Sequence, residues 1–440
     1  MTATLTETGY DQAAFEAFIA ERGHEPDWVR ERRVAAFSAF QQADWPTGRE
    51  EEWMRSNIRL FKLEKFVSPV AAGATDSNAP ALLTRNVELG GRLRSVNGRA
   101  VESSLDDDLA AKGVLFGPTD QILAEHGDVI LGALGEGVVN PTRDRFAMLN
   151  ASLWSGGATL YVPKGVVIDR PLHALASLKG AHQSDFAKTI VILEEGAEAT
   201  LLMESTSEGD DEGLHCGSVE IIVGKEANLR YVNLQNWNDR VWHFAQQRAV
   251  VHELGRIQWT VGALGARMAQ VNQEVALAGQ DAEAQVNGVM FTHGKQHLTY
   301  NTHQHHQAEF CRSDLLYKAA LQDTSRTVWR GMIKVDEAGQ RTDAYQRNDN
   351  LMLSDTSRSD SIPGLEIEAD DVRCTHGSTS GLVDETQIFY AMSRGYTRQE
   401  AVRMIVAGFF QQVFDRITIE SVREALGDAI GRRVKDIPTG

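Results

Sequence analysis

Glu194 to Leu202 reads EEGAEATLL, a turn of small and acidic residues that runs straight into an apolar strand. The phrase returns as GKEANLRYV from Gly224, ELGRIQWTV from Glu253 and GQDAEAQVNGV from Gly279. Their starts lie 26 to 30 residues apart, a period at which repeat architectures are to be suspected. Around them, from about 150 to 370, run short β-branched stretches: ATLYVP, TIVIL, ATLLMES, VEIIVG, LRYVNL, IQWTVGAL and TVWRGMI. Turns separate them, and no long amphipathic helix intervenes. Many short strands also suit a sandwich or a barrel. The regular spacing, and the small or polar residue entering most strands (Ala197, Ala227, Arg256, Ala282), favour a parallel β-helix, in which like stacks on like. The fold class is therefore mostly β, a central parallel β-helix flanked by N-terminal and C-terminal α-helical parts.

Upstream, Asp27 is read as the cap of a helix that carries Trp28, Ala35, Ala36, Phe37 and Phe40 on or near one face. Pro46 and Gly48 interrupt that helix, and REEEWMRSNIRLF (Arg49 to Phe61) predicts its resumption, with Glu50, Glu51 and Glu52 at the positive end of the dipole. Residues 68 to 81 turn to Ala, Ser, Gly, Pro and Asn and read as a linker. Downstream, DETQIFYAMSRG ends at Gly395, a C′ glycine, and TRQE (Thr397 to Glu400) forms a capping box. Val402, Ile405, Phe409, Phe410 and Val413 form a broad apolar stripe, and Ile419, Val422, Leu426 and Ile430 predict a further helix. The stripe is wide for a short tail, so Ile388, Phe389, Met392, Ile405, Phe409, Phe410 and Val413 are candidate partner contacts. Three segments result: helices and linker over 1–95, the β-helix core over 96–372 with some helix before about 150, and a helical region over 373–440.

A net charge of −17 opposes binding to phosphate backbones and anionic membrane surfaces. No apolar run is long enough to span a bilayer, and the opening MTATLTETGYDQ lacks the features of a secretory leader. Cys216, Cys311 and Cys374 are too few for a disulfide framework, which predicts a reducing cytoplasm. No phosphate-binding loop occurs; Gly288 to Lys295 has the wrong spacing.

Two groups of residues carry candidate chemistry. In YNTHQHHQAEFC (Tyr300 to Cys311), His303 and His305 share one strand face and His306 the other. They are either incidental on a polar face or, with Cys311, ligands for a transition metal; the four-ligand spacing of a structural zinc site is missing. In DVRCTHGST (Asp371 to Thr379), Cys374 and His376 would share a face if extended and could address one ligand. A nucleophilic Cys374 would need a neighbouring cation to lower its thiol pKa.

LEIEADDVRCTHGSTSGLVDETQIFYAMSRG (Leu365 to Gly395), with AVRMIVAGFFQQVF after it, resembles the C-terminal signature of the SufB/SufD family, which assembles iron–sulfur clusters, and specifically its SufD side. YVPKGVVIDRPLHAL (Tyr161 to Leu175), IVILEEGAEATLL and EEEWMRSNI extend the likeness over most of the chain. The resemblance implies a non-enzymatic scaffold that pairs with a SufB-type paralogue and a SufC-type ATPase. It implies no cofactor bound tightly by the chain alone, and a transient iron–sulfur cluster in the complex. By the same resemblance His376 would help hold that cluster at the subunit seam, with Cys374 beside it. SufB-type chains carry a cysteine on the preceding strand and an acidic residue where His376 stands; here Asn348 lies near the first place, which favours SufD. Ser378 stands where the family usually has Ala. A homodimer in isolation is compatible with this picture. The readings that compete are a SufB-like paralogue, a β-helix enzyme acting on polysaccharide, and a metalloenzyme built on His303, His305 and Cys311.

Overall fold

The computed structural model describes residues 9–69, 76, 78–85, 87–134 and 138–434. Half of the linker read over 68–81 lies outside them. The turns of the β-helix show why the chain coils. Gly196, Glu226, Leu254, Asp281, Phe310 and Arg341 each take a left-handed conformation, φ +56° to +67°, two residues before a strand begins. That conformation turns the amide along the coil axis. Gly196, Glu226, Leu254, Asp281 and Phe310 donate to the carbonyls of Lys225, Glu253, Gln280, Glu309 and Gln340 in the following turn, at 2.8 to 3.1 Å. One of the six is glycine; at the others the interturn bond offsets the steric cost of the left-handed region.

The strands that follow stack parallel and in register. Glu198, Asn228, Arg256, Glu283, Arg312, Asp343 and Arg373 form one column, 27 to 31 residues per coil. The period read from the sequence is thus one coil. From Arg256 onward the column alternates in charge, with Arg256–Glu283 at 3.3 Å and Arg373–Asp343 at 4.0 Å. Such exposed pairs add little stability each, but a slipped register would lose them all. Two sheets face each other, one of ten strands and one of nine with a short side strand. The architecture is the mostly β, parallel β-helix expected, with about eight coils.

Alternation along each strand separates lumen from flank. Leu201, Tyr231, Trp259, Val286 and Leu315 fill one lumen column. The outer face of the ten-stranded sheet is covered by helices Arg398–Phe414 and Glu420–Arg433, which bury Val402, Val406, Phe410, Val413, Val422 and Leu426. Helices Gln12–Ala20, Asp27–Gln42 and Arg145–Leu153 cover the other sheet with aromatic side chains, Phe146 stacked on Phe244 at 3.7 Å. The capping box at Thr397 and the C′ glycine at Gly395 (φ +98°) form as expected.

Three expectations need correction. Arg49 to Phe61 is not a helix but turns, with a short 3-10 turn at Leu63–Lys65 after it. The Glu50 carboxylate accepts from the Thr47 and Gly48 amides, Trp53 packs on Phe146, and the Ser56 hydroxyl donates to Gln270 at 2.7 Å, so tertiary contacts pull the segment out of helical geometry. Asp27 does not cap its helix but is its first residue, after Pro26 at the cap position, and its acidic side chain sits in the first turn. The third concerns the segment boundary at 372/373. Arg373–Leu382 is the last strand of the ten-stranded sheet, so the Cys374–His376 motif belongs to the β-helix and not to the helical tail.

Candidate functional site at the open end of the coil

The two ends of the β-helix differ. At the first, antiparallel strands Arg99–Leu105 and Leu115–Pro118 close the sheets. At the other, Arg358–Ile367 and Arg373–Leu382 each have a strand on one side only, and nearly every residue of both is exposed or half-buried. Leu365, Ile367 and Leu382 are among the exposed large apolar residues there. An edge with free backbone donors and acceptors is a template for another chain.

Cys374, His376, Ser378 and Ser380 stand above Ala344, Gln346, Asn348 and Asn350 on the lumen face of the last strand. Ser359, Ser361, Pro363, Leu365 and Ile367 face them, above Thr327, Trp329, Gly331, Ile333 and Val335. Ser359 and Ser380 hydroxyls meet at 3.1 Å across the mouth. Below His376, buried Gln346 spans the lumen and donates to the Gly364 carbonyl at 3.1 Å. Gly331 leaves room for it: a Cβ there would come within 2.4 Å of the Gln346 Oε1 and 2.3 Å of the Trp329 ring. Gln346 Oε1, Trp329 Nε1 and Ser361 Oγ have no hydrogen-bond partner among the described residues. The mouth is therefore a polar cup with capacity for further hydrogen bonds.

The expected common face of Cys374 and His376 is present. They differ in surroundings. His376 is exposed, whereas Cys374 packs beside Val372 against Ile333, Val335, Ala344 and Ala369. Burial, and then Asp343, push the Cys374 thiol above its ordinary value. That is the opposite of nucleophile activation. Asn348 is buried one coil below Ser378.

His303 and His305 do point the same way, their rings stacked 5.5 Å apart, while His306 is buried in the lumen. Cys311 lies in the hydrophobic core with its Sγ against backbone carbonyls. The three do not converge, because strand alternation and the intervening turn put the thiol inside and the two rings outside. His303 instead lines a groove of about 500 Å³ on the outer face, where Arg143, Arg248 and Lys334 are paired with Glu52, Glu274 and Glu366. No cluster of three metal-ligating side chains occurs among the described residues.

The tail stripe divides. Ile388, Phe410 and Val413 are fully buried against the sheet, and Ile405 and Phe409 pack partly into the same core. Those five are covering residues first, which corrects their reading as free partner contacts. Phe389 (72% exposed) and Met392 (44%) remain, joined by Tyr390, Tyr396 and Met404, which the stripe pattern missed because they lie off its helical face. Gln346 was also missed, though the 30-residue coil period counted back from His376 leads to it.

The chain matches two family models, the SufBD protein N-terminal region over residues 13–174 and the SUF system FeS cluster assembly SufBD core domain over 176–409. The chain belongs to the SufBD family. Similar relatives are iron–sulfur cluster assembly SufBD family proteins of Staphylococcus haemolyticus (strain JCSC1435), Staphylococcus epidermidis (strain ATCC 12228 / FDA PCI 1200) and Staphylococcus aureus (strain MRSA252). Each is 27% identical over 417 residues, 91% of this chain and 88% of the relative. In this SufBD protein the core-domain match takes in His376 and the first part of the tail. Among the described residues no helix is long and apolar enough to cross a membrane.

Proposed function

We propose that the chain is a SufD-type scaffold subunit of the cytoplasmic SUF machinery, without catalytic chemistry of its own. Its open coil end pairs with the equivalent edge of a SufB-type paralogue, enclosing His376 and Cys374 between the two chains. A nascent iron–sulfur cluster is cargo at that seam. His376 offers it a nitrogen ligand, and the partner completes the set. A SufC-type ATPase docks on the exposed tail residues Phe389, Tyr390 and Met392, supplying the nucleotide chemistry for which this sequence has no phosphate-binding loop.

The single observation that carries this reading is that both sheets stop, uncovered, at the coil bearing His376. Asn348 in the lumen, where a cluster-building cysteine would be expected of a SufB-type chain, favours the supporting role. The test is co-expression with candidate SufB-type and SufC-type proteins, followed by affinity purification. A stable ternary complex supports the reading. Recovery of this chain without either partner counts against it.

A further inference from the structure

On the flank of the ten-stranded sheet, the column that holds Leu234, Gly262 and Val289 continues as Lys318, Asp349 and Thr379. An ion pair thus follows a run of apolar and small residues; at the other end of the same column stands buried Glu204, 3.4 Å from His173. Lys318 and Asp349 are both almost wholly buried, with Nζ 3.5 Å from Oδ2. The Lys318 ammonium also donates to the Phe409 carbonyl of helix Arg398–Phe414 at 3.0 Å and lies 4.7 Å from the Phe409 ring. Asp349 Oδ1 accepts from the Thr379 hydroxyl at 2.6 Å and from Arg347 Nε at 3.0 Å. A continuous path results, from the Phe409 carbonyl through Lys318 and Asp349 to Thr379, three residues from His376.

Charges in such a place are poor stabilisers, because desolvation offsets most of their attraction. Burial lowers the Lys318 pKa even though Asp349 opposes the shift. An apolar pair would cover the sheet as well, as Leu234 and Val289 do. What an apolar pair would lack is direction. Lys318 fixes the helix through one main-chain carbonyl near the helix's negative end, and Asp349 fixes the edge strand through one hydroxyl. We infer that the Lys318–Asp349 pair is a positioning link by which helix Arg398–Phe414 sets the placement of the edge strand Arg373–Leu382, and with it His376. The inference rests on the proposed function only in taking the tail as the place where an ATPase docks and so acts on this helix; the link itself is a property of this chain alone.

Hydrogen–deuterium exchange of the full chain, followed in peptides covering 373–382, tests it without a partner. Thr379→Val keeps the buried pair and removes only the last bond. Lys318→Met and Asp349→Asn, singly and together, cut the link at its centre. Each single variant is expected to speed exchange in 373–382 about tenfold, as loss of a charge-assisted bond implies. The double variant should be no worse than either single one, and strand Arg326–Val335 of the other sheet should be unchanged. Phe409→Ala keeps the carbonyl but removes the ring 4.7 Å from the Lys318 ammonium, so it should speed exchange in 373–382 in the natural chain and add nothing in the Lys318→Met background, which a merely structural pair would not produce. Additive effects of Phe409→Ala and Lys318→Met, or wild-type exchange in Thr379→Val, would overturn the link. Failure of an ATPase to bind the tail would instead overturn the docking assignment and leave these exchange results standing.

Discussion

Asp185 and His215 are in-register neighbours in the lumen, His215 Nε2 lying 3.9 Å from Asp185 Oδ2, both almost wholly buried. Neither Asp185 oxygen has a hydrogen-bond partner among the described residues. Burial pushes the Asp185 carboxyl up to about 7 and the His215 imidazole down to about 3. Buried His243, stacked on His215 at 4.7 Å, is lowered too, by burial and then by His215.

The signs oppose. Between about 4 and 7 the folded chain holds a proton on Asp185 that the unfolded chain has lost, so this group costs stability as pH rises. Between about 3 and 6.5 the unfolded chain holds a proton on His215 that the folded chain lacks, so that group adds stability as pH rises. Asp185→Asn removes the first slope, each pKa unit of which is worth about 1.4 kcal/mol. The variant should gain stability over the natural chain progressively from pH 4 to 7 and keep the gain above. Urea midpoints at pH 4.5, 6 and 8 measure this; parallel curves for the two proteins would rule it out.

The exposed and buried members of the tail should separate in experiment. Phe389→Ala is expected to leave the thermal transition in place and weaken ATPase binding by about 1–2 kcal/mol, an anchor's share. Phe410→Ala should cost about 3–5 kcal/mol of stability, as for other buried aromatic truncations. Calorimetry with the ATPase beside circular dichroism distinguishes the two, and equal stability losses would contradict the division.

Charge placed on the open edge should prevent edge-to-edge pairing without unfolding the coil. Leu365→Lys and Leu382→Lys put cations on the two uncovered strands, a device by which natural sheets block association. Sedimentation velocity should show self-association of the natural chain reduced to monomer in the double variant, with the circular dichroism unchanged. A natural chain that stays monomeric at tens of micromolar would remove the homodimer from the picture.

The coil was legible because one period recurs: EEGAEATLL, GKEANLRYV, ELGRIQWTV and GQDAEAQVNGV are successive turns of one sheet. Tail caps were legible because Thr397, Glu400 and Gly395 act locally. Arg49 to Phe61 was not, since Trp53 and Ser56 answer to residues nearly a hundred or more positions away. Nor could sequence sort Ile388 and Phe410 from Phe389, because burial depends on which side of the helix meets the sheet. Cys374 and His376 share a face by strand alternation alone, yet their different exposure follows from Ile333, Val335 and Ala369, a packing no local pattern announces.

That difference sets the last expectation. His376 is exposed at the mouth, so His376→Ala should change stability by no more than about 0.5 kcal/mol. Under the proposed function it should nonetheless lower cluster formation by the reconstituted complex, because the seam loses its nitrogen ligand. Cys374 is half-buried with its thiol proton held by burial and by Asp343, so it serves mainly as a small apolar side chain. Cys374→Ala should then keep most of the assembly rate and lose about 1 kcal/mol or less of stability. The chain by itself, with Asn348 below Ser378 and no three ligating side chains together among the described residues, should retain no visible cluster spectrum after anaerobic reconstitution and gel filtration. Assembly measured by the absorbance of the reconstituted complex decides between the two side chains. Loss of assembly in Cys374→Ala with full activity in His376→Ala would reverse their roles.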